Sequence, residues 1–249
     1  MVRTVGTVVR GIRLPIIKAG DDLVQMVVRN ILLSAETEKY TLKDKDVIAV
    51  TESAVARAQG NYVSLDDIAL DVKEKFAGKE EFGIVFPILS RNRFSIVLRG
   101  IARAAKKLYL QLSIPCDEVG NHLMDPEILD DLELNLYQEV LDEKTYRKLF
   151  GEEVKHPFTG IDYVRMYREI AEKEGTELEI IFANDPRAIL KYTKAVLAAD
   201  IHTRFRTKKL LKKAGAEIVW GLDDICTTSR HGSGYNSQYG LLGSNKASE

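Results

Sequence analysis

The chain has 249 residues, 45% of them hydrophobic, with Lys+Arg 36 against Asp+Glu 37. That composition supports a sizeable buried core and excludes a disordered chain, and a net charge of −1 excludes a global positive field for a polyanion or an acidic membrane. The longest apolar stretches, such as 84–89, fall far short of the roughly 18 residues that cross a bilayer, and Arg3, Arg10 and Arg13 break up any signal-peptide core. With only Cys116 and Cys226 there is no disulfide framework, so a cytoplasmic location is expected.

Residues 5–9 read as a β-rich run, and Leu14-Pro15-Ile16-Ile17 as an extended loop, because proline cannot donate within a central strand. Gly20-Asp21-Asp22 offers a cap for a helix whose Leu23, Met26, Val27 and Ile31 share one face, expected to pack on a sheet. An apolar strand over 46–50 runs straight into Thr51-Glu52-Ser53, the start of a small-residue helix closed by Gly60. A helix over 66–76 precedes a continuous apolar run over 82–89, the pattern of a strand covered on both faces. Ser90 can cap the next helix, in which Phe94, Val97, Leu98 and Ile101 recur at helical spacing, and 108–114 then alternates like a strand.

The same order returns as helix 163–173, strand 178–183, helix 186–197, helix 207–213 and strand 217–220. The alternation predicts an α/β fold with a mixed, largely parallel sheet core, flanking helices and an inserted helical and loop region at 116–160. That insertion carries acidic helical pieces over 125–132 and 142–150. From 229 to 249 the chain is rich in glycine and serine but keeps Tyr235, Tyr239, Leu241 and Leu242, so part of it is expected to pair or pack. The ending at 244–249 reads as a chain cut before another element.

Several groups could carry chemistry. The strand, turn and helix over 47–60 place backbone N–H groups of Glu52 and Ser53 at a helix start, where an anion is favoured, with Arg57 one turn on. Glu52 and Ser53 serve equally well as caps, and Arg57 as a solvated cation. Ser90, Arg91 and Arg93 follow the buried strand at the edge where open α/β sheets bind ligands; they suit a phosphate or carboxylate, or a capped helix with solvated arginines. The basic run Arg204, Arg206, Lys208, Lys209, Lys212 and Lys213 reads as a solvated helix face rather than a nucleic-acid surface. Asp117, Glu118, Asn121 and His122 form one oxygen-rich loop and Asp200 with His202 a second small group; Asp117 and His122 are the metal candidates. No zinc pattern and no nucleophile elbow occurs.

The run Leu14-Pro15-Ile16-Ile17-Lys18-Ala19-Gly20-Asp21-Asp22-Leu23, the strand ending at Thr51-Glu52-Ser53, and Ala56-Arg57-Ala58-Gln59-Gly60 occur in a fixed order. This arrangement resembles the N-terminal segment of the coenzyme F420-0:L-glutamate ligase, or γ-glutamyl ligase, family. Gly234-Tyr235-Asn236-Ser237 and the apolar residues after it are similar to a second segment of the same family. The resemblance implies one α/β unit over 1–249, with family-like segments at 1–63 and 229–249 and a large α/β insertion at 64–228. It implies a homodimer that uses GTP and Mg²⁺ or Mn²⁺ to activate a small-molecule acid as an acyl phosphate and join it to L-glutamate. Leu14, Pro15, Ile16, Ile17, Glu52, Ser53 and Arg57 would line the nucleotide, Arg57 standing where the family has a lysine. Asn236 stands where the family has an aspartate metal ligand. The alternative is a nucleotide- or phosphate-binding module or subunit without ligase activity.

Overall fold

The computed structural model describes residues 6–130, 132, 134–136, 138–243 and 246–248. Expectations that rest on Arg3, Val5, Asp131, Ser244, Asn245 or Glu249 lie outside the described residues. The chain divides into two compact units, Met1–Asn61 and Tyr62–Glu249.

In the first unit, α1 (Leu23–Thr37) starts where the Asp22 carboxylate accepts the Gln25 N–H at 3.0 Å, and α2 (Glu52–Gln59) starts where the Thr51 hydroxyl accepts the Ala54 N–H at 3.3 Å. Each cap fills a donor that the first helical turn leaves open. Gly60 ends α2 at φ 63, a left-handed conformation that favours glycine, and the Ala19 methyl lies 3.3 Å from where a Cβ would stand. The Gly20 N–H donates to the Ala58 carbonyl at 2.8 Å, which ties the loop after Ile17 to the end of α2. The strands expected over 5–9 and 46–50 do not form: 6–9 and 46–50 are irregular, and the described residues of this unit hold no sheet for α1 to pack on. Their β-branched residues favour extended backbone, but a strand exists only where another fills its N–H and C=O groups. Val9 and Val47 are 89% and 90% exposed, so neither segment has a burying face to fix a register.

The second unit is built on a six-stranded sheet. In chain order it contains β1 (Tyr62–Ser64), α3 (Leu65–Lys75), β2 (Glu81–Val85), α4 (Phe94–Ala102), β3 (Lys107–Leu112), β4 (Leu141–Asp142) and α5 (Glu143–Phe150). There follow α6 (Tyr163–Lys173), β5 (Glu177–Phe182), β6 (Ala195–Ala198), α7 (Arg204–Lys213), β7 (Ile218–Gly221) and β8 (Lys246–Ser248). The sheet order is β4-β5-β3-β2-β6-β7, parallel throughout except for β4 against β5. Ile84 stands opposite Leu110 on one side and Leu197 on the other. Because side chains alternate across a strand, Ile84, Leu110 and Leu197 join the core made with α3, α4 and α6. Val85, Tyr109 and Val196 join the opposite core, with Leu211 of α7 and Ile189. Helices on both faces explain the uninterrupted apolar strands, and the α/β class and largely parallel sheet expected from the sequence are what forms.

Several boundaries differ from expectation. The strand over 82–89 stops at Val85, because Phe86 turns to φ 58 and Pro87 has no N–H for a ladder. The helix expected over 186–197 is a short 3-10 turn, Pro186–Lys191, followed by β6. Asp185 caps that turn through the Arg187 N–H at 2.9 Å, while Ala195–Ala198 are buried between β2 and β7; a short apolar run does not distinguish these outcomes by period alone. The helix expected over 207–213 begins at Arg204, and the acidic pieces become the 3-10 turn Pro126–Leu129 and α5. The closing segment does pair and pack: β8 lies parallel to β1, Leu241 is buried, and its N–H reaches the Leu222 carbonyl at 2.9 Å.

Candidate functional site

Within the first unit, the walls of a cavity of about 430 Å³ come from four segments: Arg10, Ile12 and Leu14; Val27 and Ile31 of α1; Tyr40 and Leu42; and 46–51 with Ala54. The Arg10 guanidinium lies over the Tyr40 ring, 4.4 Å from its centroid, and brings a positive charge to a wall that mixes apolar side chains with Asp46 and Thr51. Of the nucleotide candidates, Leu14 lines this cavity, Ile17 is half-buried, and Pro15 and Ile16 are exposed. Ser53 and Arg57 are exposed and one turn apart on α2, hence on the same helix face, and Glu52 is exposed at the first turn. Thr51, which the sequence groups with Glu52 and Ser53 at the helix start, is the residue that caps α2 and lines the cavity.

The other candidates lie in the second unit. The Ser90 hydroxyl accepts the Arg93 N–H at 3.0 Å, so serine organises the turn before α4 although Arg93 itself occupies the cap position. Arg93 donates to the Leu241 carbonyl at 3.0 Å and thereby holds the closing segment, while Arg91 is exposed. Asp117 is buried, and its two oxygens accept four donors: Val119 N–H (3.0 Å), Asn121 N–H (2.8 Å), Leu89 N–H (2.8 Å) and the Asn121 side-chain amide (2.8 Å). Those bonds match the acceptor capacity of a carboxylate and stitch the loop to the chain after β2. His122 forms an antiparallel bridge with Cys116, and its Nδ1 is buried without a hydrogen-bond partner. Burial, with Asp117 alongside, pushes the Cys116 thiol up from its ordinary value. The Asn236 side-chain oxygen accepts the N–H groups of Gln238 (3.1 Å) and Tyr239 (2.8 Å), an arrangement that shapes a turn. Among the described residues no three His, Cys, Asp or Glu side chains converge.

Glu118 and Asp200, distant in sequence, meet at the carboxyl edge of the sheet. Glu118 accepts the N–H groups of Ile201, His202 (2.9 Å) and Thr203 (3.0 Å) and the Thr203 hydroxyl (2.8 Å). Asp200, with no exposed surface, accepts the Thr203 hydroxyl at 2.6 Å and the Thr207 hydroxyl at 2.7 Å on one oxygen. Burial raises its carboxyl above the ordinary 3.8; the two threonine hydroxyls oppose that shift and the nearby Glu118 charge adds to it. Arg204 is buried with its Nε 3.1 Å from Asp223, close enough for an ion pair though not aligned as a hydrogen bond, and Lys208 reaches Asp224 at 2.8 Å. Part of the basic run is thus consumed inside the unit.

The family model for F420-0:γ-glutamyl ligase matches residues 11–249. The chain belongs to the F420-0:γ-glutamyl ligase family. No curated protein and no solved structure matches it in the corresponding comparisons. The match begins at Gly11, where the Leu14 to Gly60 constellation opens, and continues through the whole second unit. As a member of this ligase family the chain has an acid and glutamate as its substrate classes. No helix among the described residues is long and apolar enough to cross a membrane.

Proposed function

We propose that this γ-glutamyl ligase family member makes its amide bond at the expense of GTP. The γ-phosphoryl group passes to a carboxylate of the acid, giving an acyl phosphate and GDP; the α-amine of L-glutamate then displaces phosphate, forms the amide and loses a proton. Such chemistry depends on positioning and on stabilising charge on the transferred group more than on a covalent nucleophile. The observation that carries the reading is the family match over 11–249. The first-unit cavity supports it: about 430 Å³ lies within the range of roughly 300–1,000 Å³ usual for small-molecule sites. Its apolar side chains Ile12, Leu14, Val27 and Ile31 suit a base, and Ser53 and Arg57, on one exposed face of α2 and not among the cavity's lining residues, suit the phosphates. A cytoplasmic homodimer is the state this reading carries with it. Mg²⁺ or Mn²⁺ is expected from the resemblance; the described residues hold no group of three His, Cys, Asp or Glu for it, so this reading leaves it to one or two protein oxygens with the nucleotide phosphates.

Thermal unfolding with and without GTP tests the nucleotide site, since a ligand that binds only the folded chain must raise the midpoint. We expect a rise with GTP that is lost in Arg57→Ala; a midpoint that GTP leaves unmoved counts against the reading. Nucleotide binding without amide formation would favour a binding module, the alternative that Asn236, in place of the family's aspartate, motivates.

A further inference from the structure

The strand order of the second unit reverses at β2 and β6: β3 and β5 lie on one side of β2, β6 and β7 on the other. In doubly wound sheets the crevice outside the carboxyl ends at such a point takes ligands. Here residues 113–124, leaving β3, form a strap fixed to the chain after β2 by Asp117, through the Leu89 N–H at 2.8 Å, and to the chain after β6 by Glu118. The Glu118 carboxylate sits among four donors at the start of α7, the N–H groups of Ile201, His202 and Thr203 and the Thr203 hydroxyl. This is an oxyanion cradle already filled by the protein's own side chain.

A separate observation points to what the cradle is for. Asp200 is fully buried, and its Oδ1 has no hydrogen-bond partner, although buried polar atoms almost always have one. Its Oδ2 and the Glu118 carboxylate share the Thr203 hydroxyl, at 2.6 Å and 2.8 Å. That hydroxyl has one proton for two carboxyl neighbours, so it can serve only one of them at a time. An oxyanion cradle beside an acceptor with nothing to accept matches a ligand that carries a carboxylate and an amine on neighbouring atoms.

We propose that the turn at 200–203 is an α-amino-carboxylate site, in which Glu118 stands in for the ligand's carboxylate and Asp200 Oδ1 receives its ammonium group once the strap lifts. The amino acid is L-glutamate, an identity that rests on the ligase reading; the site itself rests on the geometry.

Isothermal titration calorimetry of the full chain with L-glutamate, with glutarate, which lacks the amine, and with inorganic phosphate tests it. In Glu118→Ala the cradle is open, and L-glutamate is expected to bind about tenfold more tightly than to the unaltered chain and about tenfold more tightly than glutarate or phosphate. Adding Thr203→Val is expected to remove that gain. Equal affinities for the unaltered chain and Glu118→Ala, or for L-glutamate and glutarate, overturn the proposal. Hydrogen exchange on the unaltered chain gives a second reading that needs no variant: saturating L-glutamate should speed exchange in the strap at 118–120, and unchanged exchange there overturns the proposal as well. The Arg57→Ala experiment reads nucleotide binding alone, so failure of the ligase reading and failure of this site are distinguishable.

Discussion

Asp200 is a carboxyl group that folding takes out of water, and its proton affinity follows from that. Burial raises its folded value above the ordinary 3.8, so the folded chain holds this proton at pH values where the unfolded chain has released it. The sign is therefore the reverse of a salt-bridged carboxylate: stability is greatest at low pH and falls as pH rises. As pH rises above the ordinary 3.8 and through the raised folded value, the unaltered chain should lose stability relative to Asp200→Asn, and urea midpoints at several pH values measure it; parallel curves would contradict this. Glu174 runs the other way. Burial works to raise it, but the hydrogen bonds from Arg103 (2.7 Å) and Arg99 (2.8 Å) hold it below 4.5, so its contribution is present above 4.5 and is lost as pH falls through the folded value. Sequence places Asp117 and Glu118 after a strand, but it reads 186–197 as a helix, so only the structure, with β6 at Ala195–Ala198, brings Asp200 to the same sheet edge and shows which carboxylate takes which donor. Asp117, expected as a metal candidate, closes its own loop, whereas its neighbour Glu118 reaches α7. Thr203 and Thr207 become visible only when the start of α7 is placed, because nothing in their spacing to Glu118 is local.

At the scale of elements, close approach decides where the helices can lie. Gly83 in β2 faces the 3-10 turn, where a Cβ would meet Ile189 Cγ1 at 2.6 Å, and Gly100 in α4 faces α3, where a Cβ would meet Ile68 Cβ at 2.8 Å. Both neighbours are fully buried, so neither has room to withdraw. Gly100→Ala should destabilise the second unit by about 1–3 kcal/mol through overpacking, despite alanine's better helix propensity. A urea midpoint that is unchanged or raised would show that the α3–α4 contact yields. The pattern of helix and strand was legible wherever amphipathic spacing continued over several turns: α6 occupies the residues its period indicated, and β5 nearly so. It misled where the residues have β-branched composition but no ladder partner, as at 46–50, and where a buried strand and a buried helix look alike, as at 195–198.

For the whole molecule, the quoted resemblance began in the first unit and ended in the closing segment, and the family match extends over the second unit between them. That middle portion carries its own sheet, its own switch point and the Glu118–Asp200 pair, none of which the resembling segments encode. Nucleotide candidates gather in the first unit, around Leu14 and α2, while Ser90, Arg93, Asp117 and Asn236 shape turns in the second. The measurement that tests the ligase assignment most directly is product balance: the purified chain is incubated with GTP, Mg²⁺ or Mn²⁺, an organic acid and L-glutamate, and GDP and amide are quantified together. The account predicts GDP and a glutamyl amide in equal amounts, with no amide formed when L-glutamate is replaced by glutarate. GDP released without amide, or amide formed without GTP, would contradict it.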